Sequence, residues 1–552
     1  MSAARCERGA IGCNLRAARA SQGVRDLRLL RSLPILVLGA CGTSPGGPDA
    51  ITVLSITPPA GAVGVALESA ITLELSAAPP ADFDVALIAG PAAPVAHAVQ
   101  ITGATVTITP SRPLALATSH QVEIAARGAP GQPIAAFAAQ FETRDGAWAR
   151  EALFGEALAA GAGAVAPALA VAADGAAFAT WYANGKLRER HAAPGAGWNR
   201  LVASLDLPSD GIVVEAAAAS ASHAVAAYRY LLLGGDGSID ARTYAGTAWA
   251  APEVVAADRA GAATLTQALG GVAAGPDGDA VALHRGAATT ALDLYAVVRA
   301  GATWSAPILL EGLAGSATAA RIVADGRGGF VVLWIQRGAS VAVWLTTVSA
   351  QGVAATPTRL DDGPNDAFSL QLARGGDRVW LAWARRATDF DGSRVLVRAL
   401  AADGLGPAQA FEVAGFSSPQ LALAAGADGA LVTWRQARAI TAAVHRDGRW
   451  AAPTVLVPAA PDPLDDVGRP VAALDDRGNA VVAWSRLPKQ GGRRAAMIAR
   501  ARAGRWAAPQ AIDDGAASAT VWAAGGDAQG RVTVVWTDDG ALGYRVWAGR
   551  LE

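Results

Sequence analysis

The sequence predicts an all-β protein, a β-sandwich followed by a β-propeller, and three observations carry that prediction. Between residues 51 and 144, short alternating runs are punctuated by Pro and Gly, the pattern of antiparallel strands in a sandwich. From about residue 146 onward a unit typified by Asp428-Gly429-Ala430-Leu431-Val432-Thr433-Trp434 keeps returning. Its closing aromatic or equivalent falls at Trp181, Tyr228, His284, Trp334, Trp383, Trp434, Trp484 and Trp536, with spacings of 47, 56, 50, 49, 51, 50 and 52 residues, a propeller-blade period.

Ala supplies much of the 52% hydrophobic content. So much Ala would ordinarily argue for helix. Here it sits in period-two runs with Val, Leu, Thr and Trp between Asp-Gly turns, which argues for strands. Residues 1–40 hold seven of the 46 basic and two of the 47 acidic groups, so the remainder carries 39 bases against 45 acids, a balance of −6. That sign gives no ground for a nucleic-acid partner. The three cysteines, Cys6, Cys13 and Cys41, all precede residue 42, so the folded body has neither disulfides nor cysteine-ligated metal.

At the N-terminus Arg25, Arg28 and Arg31 precede the apolar run Leu33-Pro34-Ile35-Leu36-Val37-Leu38, which closes in Leu38-Gly39-Ala40-Cys41. This is the layout of a secretory signal; a membrane span needs roughly 20 apolar residues. The tetrad resembles the lipobox of bacterial lipoproteins, which implies that Cys41 becomes the lipidated N-terminus. An ordinary signal with a coincidental Cys is the competing reading. Residues 1–41 are expected to be the signal, with Val24 an alternative start if its codon is GTG, and residues 42–50 a flexible tether. The expected location is the bacterial cell envelope, periplasmic or on the outer-membrane surface, held by lipid without spanning.

Strands are expected at 51–54, 71–75, 105–108, 121–124 and 139–143. Thr57-Pro58-Pro59-Ala60-Gly61-Ala62-Val63-Gly64-Val65, Thr107-Ile108-Thr109-Pro110 with Pro113-Leu114, and Phe141-Glu142-Thr143 resemble the bacterial Ig-like domain of S-layer and other surface proteins. The resemblance covers 51–144 and departs at His120, where the family has Tyr. It implies an Ig-like spacer without chemistry, with His97 and His120 as surface or packing residues.

Residues 145–552 form the repeat array. In its clearest unit strand A is 420–425, strand B 430–436, strand C 439–445 and strand D 449–455, with Asp-Gly pairs at the hairpins. Pro453, three residues after Trp450, fits an outer edge strand, where a missing N–H is tolerated. Asp145-Gly146-Ala147-Trp148 is a strand-D signature with no strands A to C before it, and the chain ends on a unit with A, B and C but no D. A ring closed by strand exchange between its two ends follows, since pairing them removes both edges. Eight blades are expected, or seven if 213–258 is a distorted insertion. The repeated Trp residues are expected to pack between blades; Trp344 and Trp380, outside the register, are the better candidates for another role.

A propeller gathers its D–A connections and B–C hairpins on one face. Here that face is expected to carry Asp361, Asp362, Asp366, Arg385, Arg386, Asp389, Asp391, Arg435, Asp465, Asp466, Arg493 and Arg494 as a candidate binding surface, although polar loops are often only solvated loops. Asp389-Phe390-Asp391-Gly392-Ser393 and Asp236-Gly237-Ser238-Ile239-Asp240 offer alternate oxygens, which makes calcium the one cofactor to consider, but neither has the full twelve-residue pattern. No His-Glu-x-x-His or phosphate loop occurs. Asp447-Gly448-Arg449-Trp450 resembles the turn box of sialidase-type propellers only in part, lacking its Ser and Thr. The expected function is therefore a non-catalytic envelope lipoprotein presenting a propeller to a protein or glycan ligand. The alternatives are a glycan hydrolase or lyase, and a purely architectural component.

Overall fold

The computed structural model describes residues 50–551 except 91–92, 127–132, 157–163, 200–202, 208–212, 232–236, 258–267, 288–290, 362–366, 387–391, 414–418, 428, 459–465, 488–491, 503 and 541–542. Every regular element among the described residues is a β-strand. Cys41 and the tether up to residue 49 lie outside them.

The first domain is two facing four-stranded sheets, in the strand order Val53–Thr57, Ile71–Leu75, Thr105–Pro110, His97–Thr102 and the order Ala93–Pro94, Ala86–Ala89, Ser119–Ile124, Phe137–Glu142. Period-two patterning places Ile71, Leu73, Val106 and Ile108 of one sheet against Leu87, Val122, Ile124 and Phe141 of the other. His120 is buried and stacks on Phe141 at 5.4 Å, taking the apolar position that a Tyr would fill. His97 bonds the carbonyls of Val95 and Val85. The strands at 86–89 and 97–102 were not among those expected.

Eight antiparallel sheets follow in chain order, a propeller-like array. The first strands are Ala164–Val171, Val213–Ser220, Ala268–Ala274, Ser316–Ala324, Ala367–Gly375, Gln420–Gly426, the broken pair Asp466–Val467 and Val471–Leu474, and Ser518–Gly526. Each packs against the first strand of the next sheet, and the eighth packs against the first. The weak stretch at 213–258 forms a full sheet of four strands. In the eighth sheet Val532–Gly540 and Gly543–Leu551 pair, and Trp148–Glu156 adds the fourth strand along Gly543–Leu551.

The sixth sheet shows how sequence places each strand. Asp447 and Gly448 adopt positive φ, so the Asp-Gly hairpin between the third and fourth strands forms where it was expected. The outer strand departs from expectation: it is split into Arg449–Trp450 and Thr454–Val457, with Pro453 in the gap, where no N–H is available for the ladder. Trp434 is buried among Val395 and Val397 of the fifth sheet, and Trp484 among Leu431 and Ala442 of the sixth. The repeated aromatic therefore binds neighbouring sheets together through apolar burial. Ion pairs reinforce three successive boundaries: Glu151–Arg190 at 3.1 Å between eighth and first, Glu189–Arg242 at 2.5 Å between first and second, Glu253–Arg299 at 3.3 Å between second and third.

The sandwich is fixed to the array by packing. Leu67 and Leu116 share an apolar cluster with Ala519, Trp536 and Leu551, and the Leu116 N–H donates to the Gln529 carbonyl at 3.0 Å. Arg500 and Arg502 reach Asp145 at 2.5 and 2.9 Å. Gln529 lies in the turn between the first and second strands of the eighth sheet, so the contact sits at the end of the sheet opposite its second-to-third-strand hairpin. Ile51 bonds the carbonyl of Pro133 at the other pole of the sandwich, the length of the six-residue strand Phe137–Glu142 away. The chain thus runs into the sandwich at one pole and leaves it at the pole that meets the array.

Two buried histidines give the fold a pH dependence. Burial lowers His120 and His284 to about 4. As pH falls from 6.5 the unfolded chain takes up these protons first, so stability is lost progressively down to about pH 4, by up to about 3 kcal/mol for each ring. Both His284 nitrogens lack a partner. The expected result is that His284→Trp, which restores the residue of six sister positions, reduces the fall of the urea midpoint between pH 7 and pH 4.5 and leaves the His120 share; a midpoint as acid-sensitive as wild type would exclude this ring as a source.

Candidate functional site

Interruption of a strand ladder re-aims the side chains beside it. In the eighth sheet the register slips between Val521 and Ala523, leaving Trp522 as the extra residue. In the seventh, Val467 pairs Arg486 and Val471 pairs Ala483, so Gly468-Arg469-Pro470 faces only two residues of the next strand. Both offsets lie in the half of the strand nearer the second-to-third-strand hairpins. Arg469 and Trp522 are both turned to solvent.

Between these offsets lies a cavity of 330 Å³ lined by Asp466, Arg469, Ser485, Arg494, Thr520 and Trp522, with Gly468, Val471, Leu487 and Val521. Of the sixteen Trp residues Trp522 alone is exposed, at 43%. Its Nε1–H donates to Thr537 Oγ1 at 2.9 Å, which fixes the ring plane. Arg494 Nη1 donates to Thr520 Oγ1 at 2.7 Å, and Ser485 Oγ accepts the Val521 N–H at 2.8 Å. Asp466 is the one carboxylate of the lining and is paired with Arg435 at 2.6 Å.

Glu215 of the second sheet and Arg321 of the fourth stand within electrostatic reach of Arg469. Glu215 pairs Ala227 and Arg321 pairs Leu333, each the residue before its sheet's fixed aromatic position, so both sit at one level of the array. Protein surrounds Glu215 while leaving it partly open to solvent; burial pushes its carboxyl up, and the two guanidiniums hold it down in part. Arg469, open to solvent on one side but surrounded by protein on the others, is lowered, first by that desolvation and then by Arg321. A hydrolase of the two-carboxylate kind needs a second acid near the first. Among the described residues the cavity has only the paired Asp466.

Of the expected binding residues, the structure brings Asp466 and Arg494 to the cavity and sets Arg435 behind Asp466. Arg493 is exposed and donates to the carbonyls of Gly515 and Ala516, bracing a connection. Arg385 and Arg386 end the second strand of the fifth sheet, half-buried and away from this cavity. Asp362, Asp366, Asp389, Asp391 and Asp465 lie outside the described residues, as does Asp236 of the other suggested calcium loop.

Asp361 must be corrected. It is buried, its Oδ1 accepts the Val343 N–H at 3.0 Å, and the Leu360 N–H donates to the Val343 carbonyl, so it staples the connection to the third strand. Asp513 accepts from Ala496 beside an Ile512-to-Ala496 bond in the same way, and Glu311 follows Leu310, which bonds Leu294. The apolar-acid dyads Leu310-Glu311, Leu360-Asp361 and Ile512-Asp513 were the available signal. Trp344 and Trp380 also prove to be packing residues: Trp344 stacks on Trp334 at 6.5 Å, and Trp380 lies 4.7 Å from His445. Trp522 and Arg469 were missed because a bulge leaves no trace in hydrophobic alternation.

Residues 48–143 match the bacterial Ig-like domain family Big_5. The first domain is therefore a bacterial Ig-like domain. No curated protein matches the sequence. Among solved structures, a mutant of AofleA from Arthrobotrys oligospora is similar over 67% of this chain and 91% of its own, at 11% identity and a TM-score of 0.34. A mutant of the NanB sialidase from Streptococcus pneumoniae covers 79% of this chain and 88% of its own, at 10% identity and 0.33. Prolyl oligopeptidase B from Galerina marginata covers 68% of this chain and 55% of its own, at 10% and 0.39.

Proposed function

We propose that this protein is a cell-envelope lipoprotein that presents a glycan-binding propeller. In this reading Cys41 carries the lipid, residues 42–50 are the tether, the Ig-like domain is the spacer, and residues 145–552 are an eight-bladed ring closed by the pairing of Trp148–Glu156 with Gly543–Leu551. The Ig-like domain meets the ring at the end of the sheets opposite the cavity, so the cavity faces away from the spacer.

The observation that carries the glycan reading is Trp522, the one exposed Trp of sixteen, held flat by Thr537 on the rim of a polar cavity. An oriented aromatic face beside hydroxyl and guanidinium donors is what a pyranose ring requires, since the ring presents C–H groups on its faces and hydroxyls at its edge. Screening the lipid-free chain on an array of bacterial and plant polysaccharides is expected to give specific retention. Trp522→Ala should weaken the retained glycans about tenfold or more, roughly 1.4 kcal/mol or greater, with circular dichroism unchanged. Retention unaffected by that substitution would remove the site.

A further inference from the structure

The charge of the cavity identifies the class of glycan, given the glycan reading above. Asp466 is engaged by Arg435, so Arg469 and Arg494 leave the lining with a positive balance. Both guanidiniums are positioned before any ligand arrives. Arg494 is tied to Thr520 through one N–H, and its backbone N–H to Ser518 Oγ at 3.3 Å. Arg469 rises from the offset between Gly468 and Pro470, where the proline fixes φ, and it gives one N–H to the Leu421 carbonyl at 3.5 Å. A guanidinium has five donors in a planar fork, so each keeps most of its donors for something else.

Beyond the lining, Arg321 and Glu215 stand within electrostatic reach of Arg469, the one adding to its charge and the other offsetting it. The cavity, at 330 Å³, lies within the range of small-ligand sites, roughly 300–1,000 Å³.

We infer that the cavity between the seventh and eighth sheets selects a carboxylate-bearing saccharide, with a uronate ring on Trp522 and its carboxylate between Arg469 and Arg494. A planar carboxylate matches the guanidinium fork, which a lone hydroxyl does not.

The test is calorimetric titration of the lipid-free full chain with tetramers of galacturonate, mannuronate and hyaluronan, with their methyl esters, and with cellotetraose. At least one acid is expected to bind tenfold or more tighter than its ester at low salt, an advantage that shrinks as salt rises. Arg469→Gln and Arg494→Gln should each remove most of that advantage, Arg469→Lys should restore part of it, and Trp522→Ala should weaken acid and ester alike. Equal binding of acid and ester would overturn the carboxylate inference and keep the glycan reading. An advantage that survives both Arg→Gln substitutions would also overturn it, and failure of every probe would overturn both readings.

Discussion

Gly426→Ala is expected to lower the urea midpoint sharply, by an amount corresponding to about 3 kcal/mol or more. The cause is space between main chains, for the φ of Gly426 is ordinary. A Cβ at Gly426 would lie 2.1 Å from the Asp475 carbonyl oxygen of the seventh sheet, and a Cβ at Gly375 would lie 2.1 Å from the Gly426 carbonyl oxygen. The first strands of the fifth, sixth and seventh sheets thus converge at their ends until backbone meets backbone, and Ala427 N–H to Asp476 Oδ1, at 2.8 Å, pins the approach. Overpacking usually costs about 1–3 kcal/mol because side chains give way. Here the obstructing atoms belong to paired backbone, so the sheets themselves must separate. Gly448→Ala is the control, since that glycine has positive φ and nothing within 4 Å, and its cost should be confined to backbone strain of about 1–2 kcal/mol. Equal midpoints for the two variants would show that the sheets can part freely.

The same residue shows how far a sequence carries. Gly426 reads as part of a turn, Gly426-Ala427-Asp428-Gly429, and it does end its strand; its closeness to the next sheet concerns a partner 49 positions away in the chain. The buried register of Trp181, Trp334, Trp383, Trp434, Trp484 and Trp536 and the strand at Trp148 were legible because hydrophobic periodicity is local. The cavity was legible only through Asp466, Arg435 and Arg494, which sit where loops were expected. Trp522 looks in sequence like one more strand aromatic, and only the slipped register turns it outward. Asp361 misled in the opposite direction: its chemistry suits a surface, but a donor on the third strand draws it inward.

Removing residues 543–551 is expected to prevent the array from reaching a stable fold, seen as aggregation and rapid proteolysis of an otherwise intact chain. That segment pairs with Trp148–Glu156 from Leu551↔Trp148 to Tyr544↔Glu156 and contributes Tyr544, Val546, Ala548 and Leu551 to buried clusters. It also buries its partners Leu153 and Phe154, which pack with Trp181 of the first sheet, and it supplies Trp547, stacked on Trp536 at 6.5 Å and covered by Arg150 at 4.4 Å. Full burial of each large apolar side chain is worth about 1.5–3 kcal/mol, so losing five or so approaches the whole stability of an ordinary domain, about 5–15 kcal/mol. Two bare edges would then face solvent, one on Trp148–Glu156 and one on Val532–Gly540, each a template for pairing with another chain. Cross-linking gives the converse result. Ala149 and Arg550 face each other in register, and the natural cysteines all precede residue 42, so Ala149→Cys with Arg550→Cys should oxidise to one intramolecular disulfide. Because that bond closes a loop of most of the chain, it should raise the midpoint by an amount corresponding to about 2–4 kcal/mol of stability. An array whose ends stood apart would give two free thiols and an unchanged midpoint.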